Sequence, residues 1–155
     1  LTSAAQTSFE APLIPASDTT DIQQEPMANA ILVVDDNRST LSGYLEYLAH
    51  AGFNPIGVSN GADALALAWH DPPAAVITDI TMPGMDGFAL AKALSQDTRT
   101  RHVPVIGLTA HWHAEVRARA AEASMCTVLL KPCSPAHLMA ELQRALAAST
   151  GPRGR

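Results

Sequence analysis

Apolar and polar positions divide the chain into alternating strand and helix patterns. Ala30-Ile31-Leu32-Val33-Val34 is a continuous apolar run, as expected of a strand buried on both faces. Leu41, Tyr44, Leu45 and Leu48 then follow the i, i+3, i+4, i+7 spacing of a helix, with Gly52 where a C-terminal cap would stand. Residues 54–58 form a weaker second strand. Asn60-Gly61 opens a helix through Leu65 and Trp69, which Asp71-Pro72-Pro73 stops. Residues 74–78 read as a third strand, followed by a Met-Pro-Gly loop and a helix around Phe88, Ala91 and Leu94. Residues 103–108 are the fourth strand, 112–123 the fourth helix and 125–130 the fifth strand. In the last helix Ser134 is the N-cap, Pro135 the first helical residue, and Leu138, Leu142 and Leu146 share one face.

Five strand–helix units in about 120 residues predict an open parallel sheet covered on both faces, because parallel neighbours need crossover helices. A closed eight-stranded barrel needs about twice that length. Residues 1–28 lack sustained periodicity and are rich in Ser, Thr, Ala, Gln and Pro, so they read as linker or disordered tail. Residues 29–148 form the domain, and 149–155 a polar tail.

Composition narrows the class. The 155 residues suit one domain with tails. No apolar run approaches the roughly 20 residues of a membrane helix, so no membrane contact is expected. The net charge of −5 argues against nucleic acid as a partner. Glu10, Asp18, Asp21 and Glu25, with no Lys or Arg before Arg38, place most of that charge in the tail. No basic start precedes an apolar stretch, as a secretory signal requires. Cys126 and Cys133 are too few for a disulfide framework, and reduced thiols in a cytoplasmic setting are expected.

The candidate chemistry lies at the strand ends. Ligands of such sheets bind beyond the carboxyl ends of the strands. Strand one runs into Asp35-Asp36, strand three into Asp79, strand four into Thr109 and strand five into Lys131-Pro132. Three neighbouring carboxylates repel one another unless a cation intervenes. Lys131 offsets part of this, and a hard divalent ion would offset more. A site that also takes phosphate suits Mg²⁺. A carboxylate beside Mg²⁺, Lys and Thr is a competent nucleophile toward phosphorus, giving an aspartyl phosphate.

Four motifs carry a family resemblance. Ile31-Leu32-Val33-Val34-Asp35-Asp36-Asn37 resembles the opening of response-regulator receiver domains of two-component systems. Asp79-Ile80-Thr81-Met82-Pro83-Gly84-Met85-Asp86-Gly87 resembles their phosphoacceptor loop, and Leu108-Thr109-Ala110 and Lys131-Pro132 their remaining signatures. Each motif alone is weak; four in order at family spacing are strong.

The resemblance covers about residues 29–148 and implies a flavodoxin-like doubly wound (βα)5 fold with strand order 2-1-3-4-5. It implies Asp79 as phosphoacceptor and Asp36, Asp79 and the backbone carbonyl of Thr81 as Mg²⁺ ligands, with Asp35 acting through water or orienting the site. Thr109 would bond the phosphoryl oxygen, Lys131 would pair with Asp79 or its phosphoryl group, and the Lys131–Pro132 peptide bond would be cis. The implied partner is a histidine kinase or a histidine phosphotransfer domain. The chain would be a phosphoacceptor that assists its own phosphorylation and dephosphorylation, not a conventional enzyme. Two departures stand out. Val128 replaces the Tyr or Phe often found three residues before the Lys, and Ser124 stands where Gly is common.

Rival readings have less support. An aspartyl-phosphate phosphatase of the haloacid dehalogenase type wants Asp-x-Asp, but Thr81 stands two residues after Asp79. A non-phosphorylated pseudo-receiver would not need the complete acidic set, and a P-loop is absent. His111-Trp112-His113 lacks zinc-site spacing and is read as an exposed helix start. Gly87 is read as relieving crowding where the third helix begins. Thr7-Ser8-Phe9-Glu10-Ala11-Pro12-Leu13-Ile14-Pro15 resembles the final strand of a sensor-kinase ATPase domain, and Leu1 stands in place of Met. Both suggest a piece of a hybrid kinase.

Overall fold

The computed structural model describes residues 29–150. The tail segments 1–28 and 151–155, with the kinase-like stretch at 7–15, lie outside them. Five strands, β1 (Ala30–Val34), β2 (Asn54–Val58), β3 (Ala75–Asp79), β4 (Val105–Thr109) and β5 (Thr127–Leu130), form one sheet. All neighbours are parallel, in the order β2-β1-β3-β4-β5. The helices between and after them are α1 (Arg38–His50), α2 (Gly61–His70), α3 (Gly87–Ser95), α4 (Ala114–Glu122) and α5 (Pro135–Thr150). The open parallel sheet is the one the strand–helix pattern predicts, and the strand order is the one the family resemblance implies.

The three central strands are buried along their whole length, which is why they read as unbroken apolar runs rather than alternating ones. Their side chains still sort by parity. Leu32, Val34 and Val76 face a cluster with Ala64 and Leu65 of α2, Phe88 and Leu90 of α3 and Ala120 of α4. Ile31, Val33 and Ile77 face the opposite cluster, with Leu48 of α1 and Leu138 and Leu142 of α5. The edges are weaker. Pro55 of β2 stands opposite Ile31 but has no N–H to donate.

The caps at Asn60, Ser134 and Gly52 follow the sequence, and Asn37 adds one at the start of α1. Asn37, Asn60 and Ser134 accept from Thr40, Asp63 and His137 backbone N–H groups at 3.0, 2.8 and 3.1 Å. Gly52 follows α1 with φ +98°, the left-handed region that favours glycine. Several boundaries move. β3 and β4 each end one residue later than predicted, so Asp79 and Thr109 are the last residues of their strands. β4 starts after Pro104, which cannot join a ladder as donor. Helix α4 starts at Ala114 rather than 112. Helix α5 continues to Thr150, so the predicted boundary at 148 falls inside its last turn.

β5 begins at Thr127 rather than 125 because the chain first turns sharply. Ser124 has φ +65°, and Met125 N–H returns to the Ala120 carbonyl at 3.0 Å. A side chain in the left-handed region costs about 1–2 kcal/mol, against roughly 0.5–1 kcal/mol of extra unfolded-state freedom for glycine. Ser124→Gly is therefore expected to raise the melting temperature by about 2 °C, as read by calorimetry. A lower Tm would show that the serine conformation is not strained.

Candidate functional site

The parallel sheet brings the carboxyl ends of β1, β3, β4 and β5 to one edge, and the four motifs meet there. Asp35 is held from two sides. Its backbone N–H donates to the Val58 carbonyl at 3.1 Å, and its carboxylate accepts from Asn37 N–H at 2.9 Å. The side chain is 1 % exposed. Asp36, next in sequence, turns outward and is exposed. Asp79 closes β3, with the following Ile80 N–H bonded to the Leu108 carbonyl at 2.9 Å. Carboxylate oxygens of Asp35, Asp36 and Asp79 lie within 4.8 Å of one another.

Lys131 comes from the far end of the sheet. Its backbone N–H donates to the Thr109 carbonyl at 2.7 Å, and the Lys131–Pro132 peptide bond is cis. Its ammonium lies 3.2 Å from Asp35 and 3.5 Å from Asp79. Burial pushes the Asp79 carboxyl above the usual range and Asp35 adds repulsion. The pull of Lys131 and of the Thr81 N–H does not fully reverse this. Burial also pulls the Lys131 ammonium down, but Asp79 and Asp35 outweigh it and hold the group above its ordinary value. Three carboxylates around one ammonium leave net negative charge at the edge.

Such a set of carboxylate oxygens is the donor chemistry of a hard divalent cation. Among the described residues, no other cluster of three His, Cys, Asp or Glu has metal-holding geometry. His111, His113, Cys126 and Cys133 therefore make no second centre. His113 is the exposed residue before α4, and its side chain makes no cap bond. The two cysteines are free thiols.

Gly87 marks where α3 passes the end of β3, as the crowding argument predicts. A Cβ there would stand 2.6 Å from the Asp79 carbonyl oxygen and 2.8 Å from Ile80 Cα. Both obstacles are backbone, so α3 itself must withdraw. Gly87→Ala is expected to cost about 2–3 kcal/mol, read as an earlier thermal transition; an unchanged Tm would show that the loop yields freely.

Three contacts were not readable from spacing. Tyr44, which the periodicity assigns to a helix face, shares a cleft of about 540 Å³ with Lys131, Pro132 and Cys133. Burial raises its hydroxyl pKa against the pull of Lys131. Arg119 of α4 lies over the Phe88 ring at 4.3 Å and 3.8 Å from Asp86, which caps α3. The Thr109 hydroxyl bonds the backbone of His111. Each joins residues far apart in sequence or uses backbone groups, which leave no side-chain pattern.

Known proteins resemble this chain in sequence and fold. The family profile described as the response regulator receiver domain matches residues 31–143. The transcriptional regulatory protein HprR of Escherichia coli is 36% identical over 116 residues, which cover 75% of this chain and 51% of that protein. The response regulator PleD of Caulobacter vibrioides is 35% identical over 118 residues, 76% of this chain and 26% of that protein. The chain thus spans about half or less of these two relatives. The receiver domain of a signal transduction histidine kinase from Syntrophus aciditrophicus superposes with a TM-score of 0.74 at 28% identity, covering 83% of this chain and 97% of that one. The receiver domain of sensor histidine kinase PA1611 from Pseudomonas aeruginosa, which holds a magnesium ion in its active-site cleft, gives 0.72 at 28% identity, covering 77% and 98%. No described helix is long and apolar enough to cross a membrane. The chain belongs to the response regulator receiver domains of two-component signal transduction.

Proposed function

We propose that this domain takes a phosphoryl group from a phosphohistidine protein onto the carboxylate of Asp79, as a switch or relay station. The observation that carries the reading is the convergence of the Asp35, Asp36 and Asp79 carboxylates within 4.8 Å, with one ammonium beside them.

An Asp79 oxygen attacks phosphorus, the phosphorus–nitrogen bond of the donor breaks, and the imidazole leaves with a proton. Lys131 offsets part of the burial that disfavours the Asp79 charge and then faces the phosphoryl oxygens. Thr109, the last residue of β4, donates to one of those oxygens. Asp36, Asp79 and the Thr81 carbonyl would hold Mg²⁺, with Asp35 orienting the site through Lys131. Held there, such an ion would supply positive charge to offset that on the transferring phosphoryl oxygens. Loss of the group follows by hydrolysis that the same residues assist, or by onward transfer.

The donor is a histidine kinase or a histidine phosphotransfer domain. The kinase receivers among the structural neighbours support a hybrid-kinase parent chain. Such a donor is charged from ATP, so the working compartment is the cytoplasm, where Cys126 and Cys133 stay reduced.

Incubation with acetyl phosphate and Mg²⁺, read by intact mass, tests the reading. One added phosphoryl group on Asp79 is expected, and no gain would overturn it. Mg²⁺ alone is expected to stabilise the fold, since the carboxylate cluster exists only in the native state. At 100 times the dissociation constant the gain is about 2.7 kcal/mol. Asp36→Ala is expected to lose this response. A wild-type Tm indifferent to millimolar Mg²⁺ would count against the metal site.

A further inference from the structure

The Thr109 hydroxyl is already engaged. It donates to the His111 carbonyl at 2.9 Å and accepts from the His111 N–H at 3.2 Å. A hydroxyl has one proton to give, so donation to a phosphoryl oxygen on Asp79 requires release of the His111 carbonyl. Thr109 itself cannot yield far. It is 3 % exposed and paired with Leu130 in the β4–β5 ladder. The part that moves is the segment Ala110–His113, which is exposed throughout and is not tied to α4 by a side-chain cap.

Trp112 stands in that segment, 46 % exposed. It overhangs a groove of about 280 Å³ between α4 and β5. The groove is lined by Ala120, Ala121, Met125 and Val128 among others. These side chains are small or flexible, and Val128 and Met125 belong to the margin of the core on that face. An indole half in water thus lies next to a groove of mixed lining, apolar at Ala120, Met125 and Val128 and polar at Arg117 and Thr127. Burying its exposed part is favourable, and the hydrogen bonds at Thr109 oppose the movement that would allow it.

We infer that Trp112 is a positioning residue for phosphoryl acceptance: when Thr109 leaves His111 for the phosphoryl oxygen, the segment shifts and the indole seats in the groove over Val128. The inference rests on the phosphoacceptor reading above. Seating of Trp112 stabilises the arrangement in which Thr109 faces Asp79, so the ring acts through Thr109 and touches no reacting atom. It also gives phosphorylation a readout on the α4–β5 surface, although position 128 carries no large ring.

The test uses the full chain with acetyl phosphate and Mg²⁺, following intact mass and tryptophan emission together. The chain has two tryptophans, and Trp112→Phe assigns the signal. Phosphorylation is expected to shift the emission to the blue and to reduce acrylamide quenching severalfold, with both changes absent in Trp112→Phe. Trp112→Ala is expected to reach a severalfold lower steady-state phosphorylation while keeping the wild-type Tm response to Mg²⁺. A phosphoryl gain with unchanged emission and quenching, or with a red shift, overturns the inference and leaves the phosphoacceptor reading standing. Absence of any phosphoryl gain overturns both.

Discussion

Asp79→Asn is expected to take up no phosphoryl group and, in magnesium-free buffer at neutral pH, to melt a few degrees above the wild type. An amide is a poor nucleophile of the same shape, so acceptance is lost while packing is kept. The stability gain has a separate origin. Burial and Asp35 raise the Asp79 pKa above the ordinary 3.8, so its charged form is disfavoured by folding. A group raised in this way contributes stability that is fully present below its unfolded pKa and is lost as pH rises through the folded value. The wild type therefore loses stability as pH rises from about 4, and the asparagine variant does not. Lys131 keeps a carboxylate partner in the variant, because Asp35 lies closer to it than Asp79 does. Intact mass and melting at pH 4 and pH 7 check both halves. Phosphoryl uptake at the wild-type rate would remove Asp79 from its role, and a variant less stable at pH 7 would contradict the electrostatic account.

Lys131→Ala has the larger structural effect. The Asp35 and Asp79 carboxylates would stay in place with their shared counter-charge gone. Removing one partner of a buried pair costs about 3–5 kcal/mol, a fall in Tm of about 10 °C or more for a domain of this size. The sign with pH is opposite to that of Asp79. The Lys131 ammonium is held above its ordinary 10.5, so its contribution is present throughout neutral pH and fades only in strong alkali. Mg²⁺ is expected to raise the Tm of this variant more than that of the wild type, since the ion becomes the main neutralising charge. Phosphorylation is expected to slow by about 100-fold, the usual effect of removing one electrostatic contact to the transferring group. A variant that melts with the wild type would show that the two carboxylates do not depend on Lys131.

Much of this centre is legible in the sequence because parallel strands carry their chemistry at one end. Once 30–34, 74–78, 103–108 and 125–130 read as strands, Asp35, Asp36, Asp79, Thr109 and Lys131 had to share an edge, whatever the exact boundaries. The one-residue extensions of β3 and β4 change register labels but not the meeting point. The closeness of Tyr44 to Lys131 depends on α1 and the start of α5 packing on the same sheet face, and helical periodicity says nothing of it. The Thr109–His111 contact uses backbone groups, and no choice of residue at 111 advertises it. Arg119 reads as a solvated charge until α4 is laid across Phe88. Ser124 was visible only as a substituted glycine; its positive φ supplies the reason.

Open sheets carry a hazard at their margins, where unpaired backbone groups can recruit a strand from a neighbouring chain. Here both margins are blunted. Pro55 removes a donor from β2, and β5 is only four residues long. Neither margin is a good template for added strands, which favours a domain that stays dispersed when many copies crowd together. Replacing Pro55 by a β-branched residue would restore the missing donor and make β2 a better template for an added strand.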